Sequence, residues 1–486
     1  MCTTIVVGRK RTADGSVLLA HSEELGRNSA HYLDITQAQD LPAGAAFASF
    51  SGGSVPQPSK TFRYLSARIF DKKRYPGDHT FGINQHQVAV ANNMALMRDV
   101  PVDAAYDIIP GGVIWTEFIQ LALERARGAR EAVEVIGGLC EDFGLSADSG
   151  TMLAAADPAE AWWLEMARGG AWLAKKVGDD EIAMRANCYR FGAEKLDDPA
   201  CCLHSRALVE DAARKGWHDR SEPFDFSRSY GDPANLADAY NTLRHEMIDA
   251  KTAKMERATV KDMMTLLRET YEGTPAYRAD PRTGSPFRAG PRTIARLNTE
   301  HSSIAHLRGW LPPEVGAVWW CGMSTSLTTA YIPRHFGVTA IDEFHSKAGP
   351  GYDPASAYWV FAELSRLCDY SFNRCAGVIR HAWSRFEEAE AADLPELEAE
   401  ALRLPCACSS PTAPRPSSSS RSTPAGGRSS AATSPPPCWP KPRPRPSTRT
   451  SPPWTGPTRP SSPEGSRGSS TASRCPTSSS SSPLSS

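Results

Sequence analysis

The sequence lacks the features that mark membrane, secreted and nucleic-acid-binding proteins. No apolar run in its 486 residues approaches the roughly 18 residues that a membrane-spanning helix needs. Charged side chains at Arg9, Lys10 and Arg11 interrupt the stretch where a signal peptide would be apolar. The formal net charge is −1, far from the basic excess with which proteins bind nucleic acid or anionic membranes. These absences predict a cytoplasmic protein with no membrane or nucleic-acid partner.

Regularly spaced metal ligands and paired cysteines are also missing. The twelve cysteines are scattered along the chain, which is typical of free thiols in a reducing compartment. Cys201, Cys202 and His204 lack a second half that would complete a metal site, and no HExxH motif occurs. His301 and His306 have no acidic residue at a recognisable ligand spacing. The sequence therefore predicts neither a disulfide framework nor a metal site.

The order of the remaining patterns favours an α+β protein. A β-hairpin is predicted at the start, because two runs rich in β-branched and apolar residues flank an Asp-Gly turn. A second strand pair, two amphipathic helices and a meander of short strands follow. These segments cover residues 2–22, 79–93, 116–144 and 151–177. Such an order indicates helices that cover antiparallel sheet.

The composition changes abruptly after Leu404. Residues 405–486 consist mainly of Ser, Pro, Arg and Thr, and they carry ten basic residues against a single acidic one. Apolar side chains are too sparse there to offset the entropy lost on ordering the chain. We predict one folded domain over residues 2–404 and a disordered tail over 405–486. The abrupt change after a helical pattern also fits a reading-frame error in a GC-rich gene.

Cys2 has the most distinctive chemistry in the chain. Removal of Met1 would place the Cys2 thiol and a free α-amine on one residue. The α-amine has an ordinary pKa of about 7.7–8.0 and can accept the thiol proton, so one residue supplies nucleophile and base. Attack on an amide carbonyl would give a thioester acyl-enzyme without a metal. On position alone, a small residue buried at a strand end is the commoner explanation.

The segment MCTTIVVGRKRTADGSVLLAHSEELG resembles the amino terminus of the dipeptidase A family, cysteine members of the N-terminal nucleophile hydrolase superfamily. Penicillin V acylase-like enzymes and the secernins are related to it. Four later segments resemble the family in the same order, so the resemblance covers about residues 2–404: AREAVEVIGGLCEDFG, AADPAEAWWLEMARGGAWLAKKVGDDEIAMRANCYRFG, RTIARLNTEHSSIAHLR and YDPASAYWVFAELSRL. The resemblance implies an αββα sandwich, hydrolysis of dipeptides and no cofactor. The sequence leaves homo-oligomer formation open.

The resemblance assigns roles near the nucleophile. In family sites an Ala-Arg-x-x-Asp motif follows the second strand, and the matching stretch here is AHSEE. His21 therefore stands at the arginine position and Glu24 at the acid position. The Glu24 carboxylate is expected to hold the α-amine of Cys2, although a solvated hairpin charge would fit the same sequence.

An oxyanion hole needs a donor aimed at the developing negative oxygen, and an asparagine at a strand end can supply one. Asn187 follows the meander where related acylases place such a residue, so it is favoured over Asn84. His21, Asn84 and His301 are expected to contact the substrate, His301 as a hydrogen-bonded polar residue that lines the pocket.

Two other functions stay open at this point. The first is an acylase that acts on a non-peptide amide, such as an acylated amino acid or a lactam. The second is a secernin-like regulatory protein without catalysis, because AHSEE departs from the family motif at the arginine position.

Overall fold

The computed structural model describes residues 2–25, 29–70, 79–100, 108–147 and 149–404. The predicted disordered tail, residues 405–486, lies outside the described residues. None of the helices in the described ranges combines the length and the apolar composition that crossing a membrane requires.

The strands and helices are labelled in chain order. The strands are β1 (Thr3–Val7), β2 (Val17–Glu23), β3 (His31–Thr36), β4 (Ala46–Ala48), β5 (Ser54–Pro56), β6 (Tyr64–Ile69), β7 (His79–Asn84), β8 (Ala89–Ala95), β9 (Gly150–Ala156), β10 (Ala161–Met166), β11 (Trp172–Val177), β12 (Ile182–Arg185), β13 (Cys202–His204), β14 (His301–Leu307), β15 (Ala317–Met323) and β16 (Ile332–His335). The helices are α1 (Trp115–Arg125), α2 (Ala129–Phe143), α3 (Leu208–Arg214), α4 (Phe226–Tyr230), α5 (Pro233–Ala237), α6 (Ala239–Thr252), α7 (Val260–Leu267), α8 (Pro313–Gly316), α9 (Glu343–Ser346), α10 (Ala357–Tyr370) and α11 (Phe372–Ala401).

Two large antiparallel sheets form the centre of the molecule. The six-stranded sheet has the order β12-β1-β2-β14-β15-β16, and the eight-stranded sheet has the order β13-β11-β10-β9-β8-β7-β6-β3. The predicted amino-terminal hairpin is the β1–β2 pair, in which Thr4 lies opposite His21. Every residue of β1 and β2 is buried, which explains why the apolar stretches 5–7 and 17–20 within them do not alternate with polar residues.

Three apolar clusters show how the layers stack. Side chains that include Val6, Leu19, Phe81 and Trp319 fill the space between the two sheets. A second cluster joins the outer face of the eight-stranded sheet to α1 and α2. A third joins the outer face of the six-stranded sheet, at residues such as Ile5, to α6 and α7. Helix, sheet, sheet and helix follow one another, so the predicted αββα sandwich is confirmed.

The site described below lies at one end of the six-stranded sheet. Antiparallel pairing brings the start of β1 beside the end of β2, and β14 begins with His301 opposite Glu23. On the other side of β1, Thr4 lies opposite Arg185, the last residue of β12. Residues far apart in the chain therefore converge around Cys2, which precedes β1.

Helix α11 is attached to this sheet by a buried carboxylate. Glu398 accepts hydrogen bonds from Arg308 Nη1 at 2.9 Å and Nη2 at 2.6 Å, and it contacts His335 Nε2 at 2.8 Å. Burial opposes ionisation, but the hydrogen bonds of His335 and Arg308 outweigh it and lower the pKa of Glu398 to about 2. The ionised carboxylate therefore stabilises the folded state, and this contribution is lost as the pH falls through that pKa.

We expect Glu398→Gln to lower the free energy of unfolding at neutral pH by about 1–2 kcal/mol, allowing for solvent screening. The difference from the wild type should shrink between about pH 4.5 and pH 2, where the wild-type carboxylate becomes protonated. Urea unfolding over that pH range measures it. Glu400→Gln is the matched control, because Glu400 is exposed on the same helix. Identical curves for the two variants would contradict the assignment.

Candidate active site

Cys2 is held on three sides. Its backbone nitrogen donates a hydrogen bond to Asn187 Oδ1 at 3.0 Å, and its carbonyl accepts one from Arg244 Nη1 at 2.7 Å. The thiol donates to Glu23 Oε1 at 3.3 Å. The residue is 3% exposed, so both its backbone and its sulfur are fixed inside the protein.

The carboxylate in contact with the thiol belongs to Glu23, a residue that the sequence did not single out. Side chains alternate along a strand, so His21 and Glu23 of β2 share one face while Ser22 and Glu24 share the other. His21 Nε2 lies 3.2 Å from Glu23 Oε2. The alternation of side chains along the strand was the signal in the sequence that could have identified Glu23.

Glu24 lies beside the nucleophile in a different way. Its carboxylate forms a buried ion pair with Arg292 and accepts a hydrogen bond from Ser22 Oγ at 3.1 Å. Its backbone N–H faces the Cys2 sulfur and favours the thiolate. The expected role of Glu24 toward the α-amine stays a prediction.

The electrostatic environment disfavours the thiolate as the site stands. Burial is the main reason that the pKa of the Cys2 thiol is raised above its ordinary value, and the negative charge of Glu23 raises it further. Burial also opposes ionisation of Glu23, but the hydrogen bond and charge of His21 hold the pKa of that carboxyl below its ordinary value. Chemistry at Cys2 therefore needs a group that removes the thiol proton.

A chain of hydrogen bonds fixes the tautomer of His21. Asn93 Nδ2 donates to the carbonyls of Arg185 at 2.9 Å and Ala186 at 2.8 Å, so Asn93 Oδ1 is an acceptor. Thr4 Oγ1 donates to that oxygen at 2.5 Å and must itself accept from His21 Nδ1 at 2.7 Å. His21 Nδ1 therefore carries a proton. The Nε2 contact with Glu23 holds one further proton between the two side chains.

The side-chain oxygen of Asn187 accepts three hydrogen bonds. Asn187 Oδ1 accepts from the Cys2 nitrogen at 3.0 Å, from Arg244 Nη2 at 3.0 Å and from Arg292 Nη1 at 3.2 Å. These donors fix the orientation of the amide, so Asn187 Nδ2 points the other way and donates to the Met94 carbonyl at 2.9 Å. One of the two N–H groups of Asn187 Nδ2 is thus engaged with the backbone.

Two arginines that no motif revealed complete the group. Arg244 is fully buried, and burial, followed by the nearby charge of Arg292, lowers the pKa of Arg244 to about 9. Arg292 joins Glu24 to Asn187. Both come from segments more than fifty residues beyond Asn187, which is why local spacing could not identify them.

The structure does not bring Asn84 into this group. Asn84 Oδ1 accepts from the backbone nitrogens of His86 at 2.9 Å and Val88 at 3.1 Å, which closes the turn between β7 and β8. Its Nδ2 donates to the carbonyls of Leu123 and Ala126 at the end of α1. Both ends of the amide therefore have structural partners, and the expected contact of Asn84 with substrate stays a prediction.

His301 lies behind His21, in the space between the sheets. Its Nε2 contacts Thr80 Oγ1 at 2.9 Å and its Nδ1 contacts Ser303 Oγ at 2.9 Å, so both ring nitrogens have protein partners. The ring centroids of His301 and His21 are 5.8 Å apart. Burial, followed by the charge of His31, puts the pKa of His301 well below its ordinary value. His301 is a neutral packing residue, and its predicted lining of the pocket is not seen.

Two cavities border the group. The first is about 20 Å³, large enough for one water molecule, and its lining includes Cys2, Glu23 and Asn92. Asn92 is buried, and its Oδ1 has no hydrogen-bond partner among the described residues. The second is a groove of about 650 Å³ that includes Arg292 and Arg296 in its lining. Arg292 thus connects this basic groove to the residues around Cys2.

The known proteins to which the chain is similar include dipeptidases. Probable dipeptidase B of Streptococcus pyogenes serotype M1 is 22% identical over 396 residues, which cover 75% of this chain and 78% of that protein. Probable dipeptidase A of Streptococcus pyogenes serotype M3 (strain SSI-1) is 24% identical over 395 residues, which cover 76% and 84%. The resemblance to the dipeptidase A family is thereby confirmed.

Two solved structures are among those to which the chain is similar. A mutant conjugated bile acid hydrolase from Clostridium perfringens is 12% identical, with a TM-score of 0.36 over 69% of this chain and 92% of that one. Penicillin V acylase from Agrobacterium tumefaciens is also 12% identical, with a TM-score of 0.36 over 69% and 86%. The sequence model of peptidase family C69 matches residues 1–385. The chain therefore belongs to peptidase family C69 and is a hydrolase of the peptidase class.

Proposed function

We propose that the protein is a dipeptidase whose nucleophile is Cys2, exposed as the amino-terminal residue by removal of Met1. The observation that carries this proposal is that both reacting atoms of Cys2, its nitrogen and its sulfur, are held by hydrogen bonds. Asn187 Oδ1 holds the backbone nitrogen that would become the α-amine, while Glu23 holds the thiol of the same residue. Membership of the peptidase family and the names of the relatives support the same reaction.

The reaction starts with transfer of the thiol proton, because burial keeps Cys2 protonated. The α-amine accepts that proton, and the sulfur attacks the substrate carbonyl carbon. The carbon–nitrogen bond then breaks, the leaving amine takes the proton from the α-ammonium, and a thioester remains. The α-amine next takes a proton from water, whose oxygen attacks the thioester, and collapse of this intermediate restores the thiol and releases the acid.

The geometry favours different roles for the two asparagines near Cys2. Asn187 orients the α-amine through its oxygen, since its nitrogen donates to Met94. Asn92 lines the cavity beside the sulfur with a buried side-chain amide, and its Nδ2 is the donor that can face the developing oxyanion. We propose that Asn92 takes the oxyanion role that the sequence assigned to Asn187.

The basic groove supplies a site for the charged end of a dipeptide. Arg288 is paired with Asp369 and Arg292 with Glu24, whereas Arg296 uses its Nε on Asn298 at 2.9 Å. The Arg296 guanidinium can bind a substrate carboxylate with its remaining N–H groups. Recognition of a free carboxylate distinguishes dipeptides from amides that lack one.

Cys2→Ala should lower the rate of dipeptide hydrolysis at least about a thousandfold, because the acyl-enzyme cannot form. Initial rates over a dipeptide panel measure this, with intact-mass analysis to verify that Met1 has been removed. Cys201→Ser is the matched control, since Cys201 is an exposed free thiol. A Cys2→Ala protein that keeps the wild-type rate would exclude the mechanism, and a folded wild type that cleaves no amide would support the secernin-like alternative.

Arg296→Gln should raise KM for a dipeptide about tenfold, with a smaller effect on kcat, because it removes a charged contact to the substrate carboxylate. The same substitution should leave KM for the corresponding dipeptide amide nearly unchanged. Steady-state kinetics on the matched pair of substrates separates the two effects. Equal losses on both substrates would argue against carboxylate binding, and faster cleavage of N-acyl amides than of dipeptides would favour the acylase alternative.

A further inference from the structure

Three different metal-ligating groups converge at the nucleophile. The Cys2 sulfur, His21 Nε2 and a Glu23 carboxylate oxygen lie within 4.8 Å of one another, and all three residues are buried. We infer that Cys2, His21 and Glu23 bind a transition-metal ion of the zinc class, which occupies the nucleophile and reversibly blocks it. The block of catalysis rests on the proposed function, whereas the binding itself does not.

Two of the three contacts between the ligating groups are close to the spacing in tetrahedral zinc sites. Zinc bonds of about 2.0–2.3 Å place neighbouring ligand atoms roughly 3.3–3.7 Å apart in a tetrahedron. Cys2 Sγ lies 3.3 Å from Glu23 Oε1 and His21 Nε2 lies 3.2 Å from Glu23 Oε2, so the two contacts use different oxygens of one carboxylate. All three ligand atoms lie within 4.8 Å of one another. Small side-chain adjustments would therefore admit the ion. Thiolate, imidazole and carboxylate are all ligands that zinc takes in proteins.

The surroundings present the correct nitrogen of His21. Asn93 directs the Thr4 hydroxyl so that it accepts the Nδ1 proton of His21. Nε2, which contacts Glu23, is then the nitrogen that a metal can bind once the proton between these two side chains is released. Metal-binding histidines commonly donate their second N–H in this way, and such partners orient the ring.

The charges also balance. A thiolate and a carboxylate carry two negative charges, and a divalent ion with neutral imidazole brings the buried site to zero. Binding releases the thiol proton and the proton shared by His21 and Glu23 to solvent, so no charge is left uncompensated. The cavity of about 20 Å³ borders Cys2 and Glu23 but not His21, so the ion lies between the three side chains and not in that cavity.

His21 completes the set of ligands. Its imidazole offers a lone pair to a metal, which a guanidinium at the same position would not. Cys2, His21 and Glu23 together make a three-ligand set with an open fourth position.

The test uses the full-length protein after removal of metals. Zn²⁺ binding is measured by competition with a chromogenic chelator, and Co²⁺ binding by the absorption of a thiolate-bound cobalt ion. We expect one ion per chain in the wild type, and affinities reduced about a hundredfold or more in Cys2→Ser and His21→Arg. Zn²⁺ should also protect Cys2 from alkylation, as judged by peptide mass spectrometry. His21→Asn, checked by its thermal unfolding, is the second variant if His21→Arg does not fold.

The double variant Cys201→Ser/His204→Gln is the matched control, since it removes a cysteine and a histidine from another part of the chain. It should bind Zn²⁺ as the wild type does. The inference is overturned if the folded His21 variant binds Zn²⁺ with wild-type affinity, or if the control variant loses the ion. A protein that binds Zn²⁺ at Cys2 yet cleaves no dipeptide would contradict the proposed function and leave this inference intact.

Discussion

The register of β1 between β2 and β12 is the constraint on which the site depends. Thr4 lies opposite His21 on one side and opposite Arg185 on the other. A slip by one residue would turn every side chain of the strand to the opposite face. The observed register directs the Cys2 sulfur toward Glu23 and its nitrogen toward Asn187. The packing of Val6 and Leu19 between the sheets enforces that register through the burial of apolar surface.

The layered fold could be predicted from the sequence because its signals are local. The β-branched runs, the Asp-Gly turn and the two amphipathic helices each specify an element whose partner is near in the chain. The importance of Cys2 followed from its position and from the family resemblance. Arg244 and Arg292 could not be found in this way, because they reach Asn187 only through the packing of distant segments.

Two features of the site depend on contacts that local sequence patterns do not reveal. Asn84 is the last residue of β7, and its oxygen accepts from His86 and Val88, which closes the turn to β8. Glu23 falls on an unspecified position of the family motif, whose acid position falls on Glu24. The alternation of the strand, once fixed, leaves Glu23 as the carboxylate that faces the sulfur.

The backbone at the end of β12 influences the protonation of His21 without contacting it. The Arg185 and Ala186 carbonyls accept hydrogen bonds from both N–H groups of Asn93. Thr4 must therefore donate its hydroxyl proton to Asn93 Oδ1, and His21 must donate its Nδ1 proton to Thr4. The two peptide oxygens of Arg185 and Ala186 thereby determine that Nδ1 of His21 carries a proton and donates it to Thr4. The protonation pattern of His21 therefore depends on the backbone geometry at the end of β12. A change in that backbone would alter the pattern without any substitution of an ionisable side chain.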